Sequence, residues 1–66
     1  MNFAFIQAWI DSLVVGTTFQ STDIPGPNGS PTVFGRSFSA AVANGQFMNV
    51  RFVRTESDNH HVYERI

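Results

Sequence analysis

A chain of 66 residues with an apolar share of 42% suffices for one small domain with a limited core. The sequence contains no cysteine, which excludes disulfides, thiolate zinc sites and a cysteine nucleophile. The sequence has five acidic residues, four arginines and no lysine, so its net charge is −1. Proteins that bind nucleic acid through a general excess of positive charge are strongly basic, and this chain is not. No apolar run suits a membrane span and no signal-peptide pattern is present, so we expect one cytoplasmic domain over residues 1–66.

The first segment, from Asn2 to about Val15, has the pattern of an amphipathic helix. Its apolar residues recur at spacings of three and four, which places them on one helical face. Asn2 can cap the start, and Gly16 follows the last periodic residue, where a left-handed C-cap residue is typical. The apolar positions are Phe3, Phe5, Ile6, Trp9, Ile10, Leu13 and Val14.

A short strand and a short helix are expected next. Residues 17–19 are β-branched or aromatic and favour a strand. Ser21 is a good N-cap for one or two helical turns up to Ile24, where Pro25 must end them because proline keeps the preceding residue out of the helical region. Residues 25–30, rich in proline and glycine, predict an exposed loop.

Residues 31–44 predict the second substantial helix. Ser30 followed by Pro31 is a typical helix start, and Asn44-Gly45 is a typical end. The apolar stripe between them has helical spacing and consists of Phe34, Phe38, Ala41 and Val42.

The last segment, residues 47–66, predicts a β-hairpin. Met48, Val50 and Phe52 alternate with polar neighbours, and residues 62–66 alternate as well. The polar residues 55–59 between the two runs favour a turn.

This order of elements resembles a winged helix-turn-helix domain. Segment 38–47 is similar to that family's exit from its recognition helix, with apolar residues at its first, fourth and fifth positions, glycine at its eighth and an apolar residue opening the next strand. Segment 16–24 is similar to the entry into the family's second helix, whereas the long loop at 25–30 departs from the family's short turn. The resemblance implies an α+β fold with three helices, the second short, and a C-terminal two-stranded wing. It also implies a short third strand at residues 17–19, which in that family often pairs with the wing.

The same resemblance makes residues 31–44 a candidate recognition helix for double-stranded DNA. At about 100° per residue, small side chains and Arg36 lie opposite the apolar stripe, and an arginine can reach the acceptors of guanine in a major groove. The alternative is a solvated polar face. The candidate DNA contacts are Ser30, Thr32, Arg36, Ser37 and Ser39 on the helix and Arg54 and His60 on the wing.

Ion pairing within the hairpin is an equally weighted alternative to DNA contact there. Arg51, Arg54 and Arg65 can pair with Glu56 or Glu64, each cross-strand pair being worth roughly 0.2–1 kcal/mol. His60 and His61 suggest a metal site, but neighbours on a strand face opposite ways, so we predict none.

Enzymatic function is not expected. The sequence has no nucleophile-elbow pattern and no phosphate-binding glycine motif, and so short a chain leaves little room for a substrate pocket. We therefore predict no catalytic residue, no cofactor and no small-molecule substrate.

Two functions from different classes fit the sequence best. The first is a sequence-specific DNA-binding protein, acting as a transcriptional regulator or as an accessory factor of phage or mobile-element type. Because a single small domain grips DNA weakly, it would bind as a homodimer or cooperatively, and an exposed Phe5 or Val15 would make the first helix a dimer surface. The second is a protein-interaction module, an adaptor or inhibitor without DNA binding, which the acidic balance favours. A small β-rich assembly subunit is a weaker third.

Overall fold

The computed structural model describes residues 2–66, so Met1, the first residue of the predicted domain, lies outside it. In chain order these residues form helix α1 (Phe3–Ser12), strand β1 (Thr18–Phe19), a 3-10 turn (Ser21–Asp23), helix α2 (Pro31–Ala43), strand β2 (Val50–Thr55) and strand β3 (His61–Arg65). The strands form one antiparallel sheet in the order β1-β3-β2. Neither helix in this part of the chain has the length and apolar character needed to cross a membrane.

The predicted fold of three helices with a two-stranded wing is wrong, because residues 2–66 contain two α-helices and a three-stranded antiparallel sheet. The predicted second helix is a single 3-10 turn, closed by the bond from the Asp23 backbone N–H to the Gln20 carbonyl at 2.9 Å. The Asp23 carboxylate in turn accepts from the Gln20 backbone N–H at 2.9 Å. Ile24 is extended ahead of Pro25, and its side chain is buried in the core. Three residues are too few to repeat the α-helical hydrogen bond, so the segment stays a turn.

The hairpin belongs to a three-stranded sheet, because the short strand near residue 18 pairs with it. The predicted short strand is present, and its Phe19 lies opposite Tyr63 of β3, which makes β3 the central strand. Backbone bonds from Gly16 to Arg65 (2.7 Å) and from Arg65 to Thr17 (2.9 Å) continue this pairing. The alternating pattern of residues 47–66 showed the hairpin but carried no information on the strand that pairs with its far side.

Helix α1 begins as predicted and ends earlier. The Asn2 side chain accepts a bond from the Phe5 backbone N–H at 3.0 Å, which confirms the N-cap. Leu13 is already extended, and Gly16, with φ 95°, lies in the following turn instead of capping the helix. Two β-branched valines follow Leu13, and such side chains favour extended backbone over helix.

Helix α2 confirms the prediction for residues 31–44. Ser30 is the N-cap, and Phe34, Phe38 and Ala41 are buried. Beyond its end, the backbone N–H groups of Gly45 and Gln46 donate to Val42 (3.1 Å) and Ala41 (2.9 Å), with Gly45 at φ 72°. This pair of bonds is the Schellman C-cap, which fixes where the chain leaves the helix toward β2.

The core is an aromatic cluster between the helices and the sheet. Phe38 of α2 lies at its centre, with its ring edge-on to Tyr63 at 4.9 Å and tilted against Phe47 at 5.3 Å. The other buried members of the cluster are Ile6, Ile10, Phe19, Ile24, Phe34, Ala41 and Val50. Because the cluster includes side chains from both helices and all three strands, the apolar side of α2 is buried against it and the polar side faces outward.

Candidate functional site

A groove of about 750 Å³ lies between the exposed side of α2 and the tip of the β2-β3 hairpin. One wall of the groove, the α2 wall, is the exposed side of helix α2. The other, the tip wall, is formed by residues 58–61 at the hairpin tip, and residues 20–22 around the 3-10 turn form a third edge. The groove is lined by Gln20, Ser21, Thr22, Pro31, Thr32, Gly35, Arg36, Ser39, Ala40, Ala43, Asp58, Asn59, His60 and His61.

The α2 wall carries one long side chain among small ones. Arg36 is exposed and has no ion pair or side-chain hydrogen bond with any residue from 2 to 66. Its groove neighbours on α2, such as Ser39 and Ala40, are small, so the helix backbone is open to close approach by a ligand. The wall therefore presents a single free guanidinium and no acidic group.

The other arginines of the described chain are engaged within the protein. Arg51 pairs across the strands with Glu64 at 2.6 Å, as the ion-pair interpretation expected. Arg54 pairs at 3.0 Å with Glu56, which follows it along the chain and does not lie across the hairpin. Arg65 donates to the Ile66 carbonyl, and its Nε is buried without a partner.

The tip wall is formed by two imidazole rings beside a carboxylate. His60 Nδ1 lies 3.2 Å from Gln20 Oε1 and 3.5 Å from Asp58 Oδ2. His61 Nδ1 lies 3.3 Å from Ser39 Oγ on α2. Since β3 starts at His61, His60 is outside the strand, strand alternation does not separate the rings, and both line the groove.

The predicted site residues divide between the groove and other surfaces. Thr32, Arg36, Ser39 and His60 all line the groove. Three lie elsewhere: Ser30 is the exposed N-cap of α2, Ser37 is exposed on its flank, and Arg54 is bound to Glu56.

Sequence reasoning missed groove residues whose position depends on the tertiary fold. Gln20 enters because β1 pairs with β3 and brings the 3-10 turn beside the hairpin tip. His61 lines the groove because its ring contacts Ser39 of α2. The two adjacent histidines were a visible signal, but no local pattern connects them to α2.

The formal charges of the arginine and carboxylate side chains that line the groove cancel. Arg36 contributes the positive charge and Asp58 the negative one, while Arg54 and Glu56 neutralise each other nearby. Burial raises the pKa of Tyr63, and the nearby Ser39 side chain lowers it by a smaller amount. The Tyr63 phenol, which lies behind the α2 wall, therefore stays uncharged. Among residues 2–66, no group of three or more histidine, aspartate or glutamate side chains is placed to hold a metal ion.

Comparison with known proteins adds no relative: no protein-family model, no curated protein and no solved structure matches this chain. Its function is therefore inferred from the geometry and charge of the groove.

Proposed function

We propose that this protein binds double-stranded DNA sequence-specifically, with the exposed side of α2 in the major groove. The observation that carries this proposal is Arg36, a free guanidinium on a helix wall of small residues. The major groove is about 12 Å wide and accommodates an α-helix. Small side chains on the helix allow the backbone to approach the base edges closely.

Arg36 is suited to base recognition because it can make two hydrogen bonds to one guanine. The planar guanidinium matches the O6 and N7 acceptors of that base, which lysine does not. Arg51 and Arg54 would first have to leave Glu64 and Glu56, and they lie outside the groove. Thr32 and Ser39 can donate to phosphates or base edges from the same wall.

The small number of free positive groups implies a modest affinity for each copy. One free arginine neutralises few phosphates, so two copies on repeated sites would be needed for a stable complex. A role as a transcriptional regulator or as an accessory factor acting on DNA fits such cooperative binding.

A protein partner is the second candidate function, and exposed apolar side chains favour it. Phe3 and Phe5 on α1 are 45% and 47% exposed, and Met48 is 70% exposed. The net charge of −1 does not hinder contact with a protein surface as it hinders contact with phosphates. In this case the chain acts as an adaptor or inhibitor and makes no use of Arg36.

A salt titration separates the two functions. Duplexes selected from a random pool are titrated with protein, and binding is followed by fluorescence anisotropy at several salt concentrations. DNA binding should weaken with a log–log slope of about −0.9 per phosphate neutralised, giving roughly −1 to −3 for so few cations. Absence of salt-sensitive binding at low micromolar protein would contradict DNA binding and favour the protein partner.

Substitution of Arg36 tests the contact itself. Arg36→Ala should lose roughly 1–3 kcal/mol of binding free energy on the selected site and flatten the preference for one base pair. Arg51→Ala is the matched control, since it removes the same charge from a side chain outside the groove. Equal losses in the two variants would show that Arg36 acts only through its charge.

A further inference from the structure

We propose that DNA binding in the groove takes up a proton at His60. The coupling rests on the proposed DNA-binding function and adds a way in which pH regulates it. The ring of His60 is half exposed on the wall opposite Arg36, so it is accessible to a phosphate of DNA lying on α2.

The surroundings of His60 favour one of its two ring nitrogens as the site of the first proton. Nδ1 faces two acceptors, the amide oxygen of Gln20 at 3.2 Å and a carboxylate oxygen of Asp58 at 3.5 Å. The other oxygen of Asp58 accepts from the His60 backbone N–H at 3.3 Å, which holds the carboxylate in place. Two acceptors at Nδ1 favour the tautomer that carries hydrogen on Nδ1.

This tautomer makes phosphate binding dependent on a second proton. With hydrogen on Nδ1, neutral His60 has a lone pair at Nε2, which repels a phosphate oxygen. When a proton from the solvent adds to Nε2, the ring becomes an imidazolium, keeps its Nδ1 contacts and donates Nε2–H to the phosphate. Binding at this wall and proton uptake are then one equilibrium.

Few charged groups face His60. Asp58 lies beside it on the same tip, and Arg36 lies across the groove. Arg54 and Glu56 neutralise each other at the hairpin, and Asp23 is bound to the Gln20 backbone N–H. His61 contacts a hydroxyl, which can donate or accept, so its tautomer is not fixed in the same way.

Calorimetry on the selected duplex tests the coupling. Titrations near pH 7.5 in two buffers of different ionisation enthalpy give the number of protons taken up, expected to approach one per bound protein. Affinity should fall as pH rises, by at most about tenfold per pH unit for the uptake of one proton. His60→Asn keeps a donor at the Nδ1 position and removes the titrating nitrogen, so proton uptake should vanish.

The matched control is His61→Asn, which removes the neighbouring imidazole and should retain the proton uptake. Uptake that persists in His60→Asn, or disappears in His61→Asn, would overturn the assignment to His60 and leave DNA binding intact. DNA binding with no proton uptake in the wild type would overturn the coupling alone. No DNA binding at any pH would overturn the proposed function, and circular dichroism of each variant separates these results from loss of folding.

Discussion

Asp11 links α1 to the segment that leads into β2. Its Oδ1 accepts bonds from the Gln7 side chain at 2.9 Å and from the Asn49 side chain at 3.1 Å. The Gln7 amide also bonds both backbone groups of Met48, at 2.8 and 3.0 Å. The bond from Asn49, then the bond from Gln7 and, to a smaller extent, the Arg65 guanidinium lower the pKa of Asp11.

This lowered pKa gives a pH dependence of stability with a defined sign. The folded pKa lies below the unfolded one, so the contribution of Asp11 is complete above the unfolded value of about 3.9 and is lost as pH falls through the folded value. The wild type should exceed Asp11→Asn in unfolding free energy at pH 6, and this difference should shrink as pH falls below the unfolded value. Urea unfolding followed by Trp9 fluorescence measures both; a difference independent of pH would contradict the role of the charge.

Single residues differ in how far the sequence predicted them. Exposure of Arg36 follows from helical periodicity, because it lies opposite Phe34 and Phe38. Its lack of a partner does not follow, since that depends on Glu64 and Glu56 being bound to the other arginines. The bond between Asp11 and Asn49 joins residues 38 positions apart, and no local pattern indicates it.

Substitution by alanine should have opposite effects on stability at two glycines, Gly35 within α2 and Gly45 just beyond its end. Gly45→Ala should lower stability by about 1–2 kcal/mol, because its φ of 72° is unfavourable for a residue with a Cβ although nothing lies within 4 Å. Gly35→Ala should raise stability by about 0.5–1 kcal/mol, because alanine favours helix. Its new Cβ would lie 3.4 Å from the Ser21 hydroxyl, which can rotate away.

Chemical denaturation of both variants measures these changes. Each variant serves as the control for the other, since both add one methyl group to a glycine, one within α2 and one just beyond its end. Loss of stability in both would mean that space beside the 3-10 turn, and not backbone conformation, decides the effect at Gly35.

Elements were predictable where local signals agreed and failed where they competed. For α2, the N-cap, the apolar stripe and the terminal glycine all indicate one helix, and it forms. For residues 21–24, a good N-cap favoured a helix while Pro25 and burial of Ile24 required extended backbone, and the latter prevailed. The β-bulge at Val53, between the Phe52 and Arg54 pairs, was also not predicted by the alternation of apolar and polar residues.

The arrangement of the whole molecule depends on contacts that no single segment specifies. The hairpin pattern predicted β2 and β3, yet the sheet order β1-β3-β2 arises because Phe19 joins the core beside Tyr63, at 5.8 Å between rings. That pairing brings Gln20 to His60 and so completes the groove. The groove is therefore a tertiary feature, of which the sequence predicted only the α2 wall and one tip histidine.

Because the fold depends on these tertiary contacts, Phe38 at the centre of the aromatic cluster should be essential for folding of the chain. Phe38 is fully buried and contacts rings from four other positions: Phe19, Phe34, Phe47 and Tyr63. Phe38→Ala should cost about 3–5 kcal/mol, since the cavity between α2 and the sheet cannot close unless α2 moves toward β1 and β3. A domain of this size has only about 3–5 kcal/mol of net stability, so this variant should be largely unfolded at 25 °C.

Phe52→Ala provides the contrast, because Phe52 is 47% exposed at the sheet edge and contacts only His61 and Tyr63 among the aromatic rings of residues 2–66. Its loss should cost less than half as much and leave a cooperative unfolding transition. Circular dichroism and Trp9 fluorescence under increasing urea measure both variants. If Phe38→Ala stays folded with a similar midpoint, the helices and the sheet are stabilised separately, and the groove between them cannot be a rigid, preformed site.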